Sequence, residues 1–342
     1  MLSRVADSIF WMSRYVERAD NVARFIDVNL NLSLDLGPNL CHQWLPLVYT
    51  TGDQEDFHKR YEIANQSNVI QFLTFDEENP NSILSCFRSA RESARTIREM
   101  ISSQMWEELN KCYLAVRTAQ SSPDVLLSPF DFFNQIKRSI YLLEGVTIST
   151  MSHGEAWHFS RLGKLVERAD KTSRILDVKY FLLLPSPSDV GTPLDTTQWA
   201  ALLKSASALE MYRKTQGRII PTRVAEFLIL DRDFPRTIRF CVIRAEQSLL
   251  AITGGTSGTF RNTAEQRLGR LRAELDYAHI DEVVEMGMHE FIDSIQSKLN
   301  DIGAAIFETF FATRSGEAAQ AAPSSTQTMG PRKQQQTQTI SP

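Results

Sequence analysis

The chain repeats part of its own sequence, and this repeat limits its possible folds more than any other feature. Residues 14–28 read RYVERADNVARFIDV, and residues 164–178 read KLVERADKTSRILDV. At this offset of 150 residues, eight of the fifteen positions are identical. A period of that length is the size of a domain and not of a solenoid repeat. The sequence therefore predicts two similar halves.

A second pair of segments repeats in the same order. Residues 69–90 and 224–245 share the frame V-x-x-F-L-x-x-D-x-x-x-P-x-[S/T]-I-x-x-C-x-x-x-A at an offset of 155. Two repeated segments in one order indicate a tandem duplication. We therefore expect a first repeat over 1–150, a second repeat over 151–313, and a pseudo-twofold rotation that relates them.

The hydrophobic pattern predicts helices throughout. In the first repeat, apolar residues step by three and four: Val5, Ile9, Met12, Val16, Ala19, Ala23, Ile26 and Leu30. Long amphipathic patterns continue at 83–119, 128–150, 195–216, 236–252, 261–278 and 280–312. Pro80 and Pro235 each precede an apolar run, which predicts that they lie in the first turn of a helix. No alternating strand pattern is present, so we expect an all-α protein built from two tandem helical bundles.

Composition and charge exclude several classes of protein. The formal net charge is −4, so there is no basic excess that would favour binding to nucleic acid. Four cysteines without a CxxC pair argue against a disulfide scaffold and fit a reducing, cytoplasmic compartment. Charges at Arg4 and Asp7 interrupt the N-terminus, which argues against a signal peptide. The longest apolar runs have about five residues, against the ~20 of a membrane span.

The last segment, residues 314–342, has a different composition from the rest. It is rich in Gln, Ser, Thr, Ala and Pro and contains almost nothing that a core could bury. Such a segment cannot offset the entropy of ordering its backbone. We expect it to be a disordered tail whose deletion leaves the melting temperature nearly unchanged.

The repeated segment carries more charge than a helix needs for solubility. The first copy contains Arg14, Glu17, Arg18, Asp20, Arg24 and Asp27, and the second contains Lys164, Glu167, Arg168, Asp170, Arg174 and Asp177. Apolar residues lie beside Arg18 along the helix face that carries it, so we expect its guanidinium to be at least partly buried. A buried guanidinium needs carboxylates or carbonyls around it.

Two interpretations of this polar cluster remain open. In the structural one, reciprocal ion pairs lock the two halves together, Arg18 with Glu167 or Asp170 and Arg168 with Glu17 or Asp20. In the functional one, the cluster lines a cleft at the pseudo-twofold axis that binds a partner or an anionic or zwitterionic ligand.

A second charged row is present in the first repeat alone. Four arginines follow one another at spacings of three, four and three: Arg88, Arg91, Arg95 and Arg98. Such a row could bind a carboxylate or a phosphate. The alternative is a solvated helix face on which Glu92 and Glu99 neutralise the arginines.

Metal and cofactor sites have little support. One helical pattern contains His279, Glu282, Glu285 and His289 at ligand-like spacing. The first repeat has no matching set, however. P-loop, GxGxxG, GxSxG and HExxH motifs are also missing. The sequence therefore predicts neither a metal nor a cofactor.

Two segments carry a resemblance to a known family. The stretches MLSRVADSIFWMSRYVERADNVARFIDV and GEAWHFSRLGKLVERADKTSRILDV resemble the alpha-E family, an all-helical bacterial family with a Glu-Arg motif. The resemblance covers about residues 1–312. The motif residues of the family fall on Arg14, Glu17, Arg18 and Asp20. The second copy departs from the motif at Lys164 and Leu165.

The resemblance implies a role beside other enzymes. Members of the family tend to be encoded beside, or fused to, circularly permuted ATP-grasp ligases, with transglutaminase-like peptidases nearby. It thus points to a non-catalytic accessory or binding protein of a peptide-forming amidoligase system. The alternative is an enzyme of the same pathway with acid–base chemistry at the Glu-Arg cluster. A strongly raised glutamate pKa in an open cleft would favour that alternative.

Overall fold

The computed structural model describes residues 1–36, 44–121, 129–182 and 192–312. Within these ranges the chain is helical and contains no strand, so the all-α prediction is confirmed. The helices are α1 (Ser3–Leu36), α2 (Leu45–Thr51), α3 (Gln54–Arg60), α4 (Gln66–Thr74), α5 (Ile83–Thr96), α6 (Ser103–Gln120), α7 (Pro129–Thr150), α8 (Glu155–Leu182), α9 (Pro193–Ser205), α10 (Leu209–Gln216), α11 (Pro221–Leu230), α12 (Ile238–Thr253), α13 (Thr263–Tyr277), α14 (Ile280–Met286) and α15 (Met288–Ile306). A π-helical turn, Phe307–Phe311, follows α15.

Residues Met1–Ala312 pack as one compact unit. None of the described helices is long and apolar enough to cross a bilayer. The predicted tail over 314–342 lies outside the described residues, so its disorder stays a prediction.

The two long helices α1 and α8 lie side by side and run in the same direction. At the start of the pair, the Met1 amino group lies 2.9 Å from Glu155 Oε2. Further along, the Ser13 and Ser160 hydroxyl oxygens are 2.8 Å apart. Residue numbers rise together along both helices, and paired residues are always about 150 apart. Each helix therefore meets the part of its neighbour that repeats its own sequence.

Small residues allow α1 and α8 to approach closely. A Cβ atom added at Gly163 would lie 2.4 Å from the carbonyl oxygen of Phe10, much closer than two such atoms can pack. The Ser13–Ser160 hydrogen bond lies at the same crossing. Glycine is therefore needed at position 163 because the two helix backbones leave no room for a side chain, and not because the chain turns there.

Other helices cover the remaining faces of this pair. Helices α5 and α7 pack on α1, and α12 and α15 pack on α8. The apolar stripe of α1 is buried, with Ile9, Ala19 and Ile26 fully inaccessible. The acidic and basic residues Glu17, Asp20, Arg24 and Asp27 are buried as well, because α8, α7 and two turns cover them. Residues 19–30 of α1 are therefore buried on every side of the helix.

The second repeated segment forms the same turn twice. The Oδ1 atom of Asp76 accepts hydrogen bonds from the backbone amides of residues 78 and 79. Asp231 Oδ1 accepts the equivalent bonds from residues 233 and 234. These turns lead into α5 and α12, the two helices that flank the central pair.

The prolines of these turns are outside the helices, so the prediction that they lie in a first helical turn is wrong. Helix α5 is capped by Ser82, whose hydroxyl accepts from the amide of Ser85. Thr237 caps α12 in the same way. An N-cap residue has an extended backbone, and the proline two positions earlier belongs to the preceding turn.

Three of the predicted long patterns are broken in the structure. The 83–119 pattern is interrupted between α5 and α6, and the 195–216 pattern at Ser207, which has a positive φ of 52°. The 280–312 pattern breaks at Gly287, where φ is 104°. A helix cannot continue through these left-handed conformations, although the apolar periodicity does.

Candidate functional site at the paired Glu-Arg motifs

The two Glu-Arg motifs pair with each other. Arg18 Nε donates to Glu167 Oε1 at 2.7 Å, and its Nη2 donates to Oε2 at 3.2 Å. Arg168 returns the same contact to Glu17, with both hydrogen bonds at 2.7 Å. The exposed fraction is 3% for Glu17 and 0% for Glu167. The reciprocal pairing expected from the sequence is therefore present, and it is bidentate in both directions.

Glu167 is held ionised by several cations. Besides Arg18, Arg14 Nε donates to Glu167 Oε2 at 2.8 Å, and Lys171 Nζ lies 3.9 Å from Oε1. Burial alone would raise the pKa of Glu167, but the charges of Arg18, Arg14 and Lys171 hold that pKa far below its ordinary value. A carboxyl group in this environment does not take up a proton near neutral pH.

Glu17 has a second basic partner that the sequence analysis missed. Arg236 Nη1 lies 3.2 Å from Glu17 Oε1, and Arg236 Nη2 donates to Asp20. Arg236 occupies the variable position of the repeated P-x-[S/T]-I frame. The same position in the first repeat is Asn81, whose Oδ1 accepts from Arg18 Nη1 at 2.6 Å. The variable residue between the shared proline and the shared Ser/Thr position was the available signal.

The aspartates of the motifs form pairs within their own helices. Arg24 Nε donates to Asp20 Oδ2 at 2.9 Å, and Arg174 Nε donates to Asp170 Oδ2 at the same distance. Burial would raise the pKa of Asp20, but Arg236 and Arg24 lower it. Arg24 also reaches the Ser207 hydroxyl at 2.5 Å, which connects α1 to the strained turn after α9.

The last motif aspartate of each copy reaches a flanking helix. Lys137 Nζ on α7 donates to Asp27 Oδ2 at 2.6 Å. His289 Nδ1 on α15 lies 2.7 Å from Asp177 Oδ1. Each contact connects the central helix pair to a helix that flanks it.

One end of the cluster opens into a cavity of about 320 Å³ between α1, α6, α7 and α8. Its lining is largely apolar, with Glu17, Glu144, Arg161 and Lys164 among the polar side chains. Lys164 Nζ donates to Glu144 Oε1 at 2.5 Å. Glu17 therefore reaches a cavity wall, whereas Glu167 is enclosed between the helices.

The arrangement favours charge pairing over acid–base chemistry. The pKa of Glu144 is lowered, because the charges of Lys164 and Arg168 outweigh the effect of burial. Cys86 and Cys241 lie beside the motifs, and burial raises the pKa of each thiol to about 12. Such carboxyl groups are poor general acids, and such thiols are poor nucleophiles at neutral pH.

Of the four arginines predicted as a possible anion site, three lie on α5 and the fourth follows its end. Arg88 and Arg95 pair with Glu77 and Glu92 at 2.9 and 2.7 Å. Arg98 lies beyond the end of α5, with its guanidinium carbon 4.6 Å from the centre of the Trp106 ring. Arg91, the remaining member, donates to Asn110 at 2.7 Å.

The structure also separates the residues of the metal-like row. His279 is the N-cap of α14, with Glu282 completing a capping box. Gly287 ends that helix before His289, so the assumption that the row lies on one helix is wrong. Within the described residues, no group of three or more potential ligands is placed to hold a metal ion.

Comparisons with known proteins agree with the resemblance. The model of a family described as "a predicted alpha-helical domain with a conserved ER motif" matches residues 1–311. An uncharacterized protein of Mycobacterium bovis is 23% identical over 338 residues, which cover 92% of this chain and 37% of the relative. An uncharacterized protein of Mycobacterium tuberculosis is 22% identical over the same shares. This chain thus spans little more than a third of these curated relatives. No solved structure matches significantly.

Proposed function

The chain belongs to the Alpha-E family, and from this premise we propose that it is a non-catalytic accessory protein of a peptide-forming ATP-grasp amidoligase system. In this proposal the paired Glu-Arg motifs fix the shape of the molecule, and the surface and cavity around them hold a partner or a ligand. The protein acts in the cytoplasm, where its buried thiols stay reduced.

The observation that carries this proposal is the saturation of the motif by internal partners. Both motif glutamates are bound by two or more cations from elsewhere in the chain. A catalytic carboxyl group needs a pKa near the working pH and access to substrate. The lowered pKa of Glu167 and its complete burial support a structural role instead.

We further infer that the two repeats are related by a pseudo-twofold axis that runs between α1 and α8. The parallel packing at a separation near 150 and the reciprocal Glu-Arg pairs support this relation. The identical hydrogen bonds of the two Asp turns support it as well. Asymmetric residues such as Lys164 and Arg236 are then the places where the second repeat has specialised.

The partner follows from the family resemblance and from the length of the relatives. In the mycobacterial proteins, the matching region is joined to further sequence that makes up most of the chain. Such an arrangement suits a segment that works beside another domain or protein. We propose a circularly permuted ATP-grasp ligase as that partner, with a transglutaminase-like peptidase in the same system.

The test is reconstitution with the ATP-grasp ligase from the same genome. Purified ligase and the full chain are mixed and examined by size-exclusion chromatography with light scattering, and ATP-dependent ligation is measured with and without the chain. We expect a complex and a change in ligation, while the chain alone hydrolyses neither ATP nor peptides.

Two results would contradict the proposal. One is the failure of the two proteins to associate at about 1 mM, the weak end of specific binding. The other is turnover by the chain alone that is lost in Glu17→Gln and retained in a matched surface change, Glu107→Gln. That second result would establish the alternative, an enzyme with acid–base chemistry at the Glu-Arg cluster.

A further inference from the structure

Arg161 is a cation at the wall of the cavity. It lies on α8, one turn before Lys164, and is only partly exposed. Its guanidinium carbon lies 5.1 Å from the centre of the Trp157 ring. Within the described part of the chain, no carboxylate or other acceptor lies within hydrogen-bonding distance of it. This sets it apart from Arg14, Arg18 and Arg168, which all bind carboxylates.

Burial and a neighbouring like charge both destabilise the positive charge of Arg161. Burial lowers the pKa of Arg161, and the like charge of Arg244 on α12 lowers it further. His158, one residue along α8 from Trp157, has its own pKa lowered by burial and then by Arg161. Its Nδ1 atom is buried and has no hydrogen-bond partner. An anion at this position would relieve the repulsion and accept the unused donors of Arg161.

The acidic groups of the cavity are not free to supply that anion. Glu144 is bound by Lys164, and Glu17 is bound by Arg168 and Arg236. The lining carries two acidic and two basic side chains, but both acidic ones are already bound by cations of this chain. Arg161 is therefore the charged group of the lining whose donors an added anion could use.

The rest of the cavity is apolar. Met105 and Leu109 of α6 face Ile140 and Leu143 of α7 across it. All four side chains are buried. The volume of about 320 Å³ is at the small end of the range of ligand sites, which suits a compact molecule.

We propose that this cavity binds a small monocarboxylate with an apolar body, with the carboxylate on Arg161 and the body between α6 and α7. A bidentate pair between guanidinium and carboxylate satisfies the unused donors, and the apolar body fills the space that the four side chains leave. A medium-chain acyl carboxylate and the C-terminal residue of an apolar peptide share this chemistry. The inference rests on the cavity alone and does not depend on the ligase.

The test is isothermal titration of the full chain with four probes. Octanoate represents the acyl carboxylate, and N-acetyl-leucine represents the peptide C-terminus. Octylamine and 1-octanol keep the apolar body and replace the carboxylate. We expect at least one carboxylate to bind at least tenfold tighter than the amine and the alcohol. The tighter of the two carboxylates identifies the natural class.

Variants assign the binding to the proposed residues. Arg161→Gln should weaken carboxylate binding at least tenfold and leave the affinity for 1-octanol within about twofold. Arg161→Lys should retain part of the preference for the carboxylate, because the charge remains. Arg138→Gln is the matched control, since it makes the same change at an exposed position of α7 outside the cavity, and it should bind as the wild type does.

A second variant tests the apolar part of the site. Thr147 lines the cavity from α7, and Thr147→Phe should fill space there and weaken octanoate binding at least tenfold in a protein that still melts cooperatively. Equal affinity for octanoate and octylamine would overturn the proposal. An unchanged affinity in Arg161→Gln, or no binding of either carboxylate at about 1 mM, would overturn it as well.

Discussion

At the scale of single residues, the interior of this molecule contains buried ionised side chains. Arg18 and Glu167 are both largely removed from water, and their ion pair offsets much of the cost of burying each charge. Arg14 and Lys171 share the same carboxylate, which makes the contact a network and not an isolated pair. Such a network sets the relative position of two helices, because a shift along either one would leave a charge unpaired.

The network predicts strong coupling between Arg18 and Glu167. Either Arg18→Ala or Glu167→Ala should lower the free energy of unfolding by about 3–5 kcal/mol, because each takes a bidentate partner away from a buried charge. The double variant should cost less than the sum of the two single changes, since it removes both ions. Chemical denaturation of the four proteins measures the cycle. Strict additivity, with each single change costing under about 0.5 kcal/mol, would show that the pair does not support the fold.

The sequence predicted the burial of Arg18 and its partner because both lie in one continuous helical repeat. It did not predict Arg236, for two physical reasons. The offset between the repeated segments changes from 150 residues in the first segment to 155 in the second. The helical spacing of the first segment therefore does not show which way a side chain in the later turn points. The side chain of Arg236 also reaches Glu17 only because the turn before α12 folds back onto α1.

At the scale of helices, the parallel pair α1–α8 is the central element. Its crossing depends on Ser13, Ser160 and Gly163, which let the two backbones approach. The helical character of these segments and the equivalent faces were predictable from the spacing of apolar residues. The positions at which these helices end were not predictable, because the apolar periodicity continues across Ser207 and Gly287 although the backbone turns there. Only the left-handed conformation, which the apolar pattern does not report, stops the helix.

The close approach at Gly163 gives a prediction with an internal control. Gly163→Ala should destabilise the protein, because its Cβ would meet the Phe10 carbonyl at 2.4 Å and separate α1 from α8. Gly145→Ala should instead stabilise it by about 0.5–1 kcal/mol, because alanine is the better helix former. Gly145 lies within α7 and has open space where the Cβ would be. Thermal unfolding of both variants measures the difference, and equal melting temperatures would contradict the crossing described here.

At the scale of the whole molecule, the buried carboxylates make stability depend on pH. The folded pKa values of Glu167 and Asp170 lie below their ordinary values of 4.5 and 3.8. For Glu167 the combined attraction of Arg18, Arg14 and Lys171 outweighs the effect of burial, and for Asp170 that of Lys171 and Arg174 does so. A group whose pKa is depressed by folding contributes stability above its unfolded pKa, and that contribution is lost as the pH falls.

We therefore expect the free energy of unfolding to hold through neutral pH and to fall steadily below about pH 4.5. Denaturant titrations at a series of pH values measure this profile. Glu167→Gln should be less stable than the wild type at pH 7 and should lose less on acidification, because it has one fewer carboxylate to protonate. A variant profile parallel to that of the wild type would show that Glu167 does not carry the acid sensitivity.

The separation of about 150 residues between α1 and its partner also has a consequence during synthesis. A ribosome adds about 5–20 residues per second, so roughly 8–30 s pass between the completion of a residue on α1 and the appearance of its counterpart on α8. Throughout this interval Arg14 and Arg18 are made but the glutamate that neutralises them is not. The charged face of α1 therefore stays exposed to water in the nascent first repeat. The central helix pair forms only when the second copy of the motif leaves the ribosome.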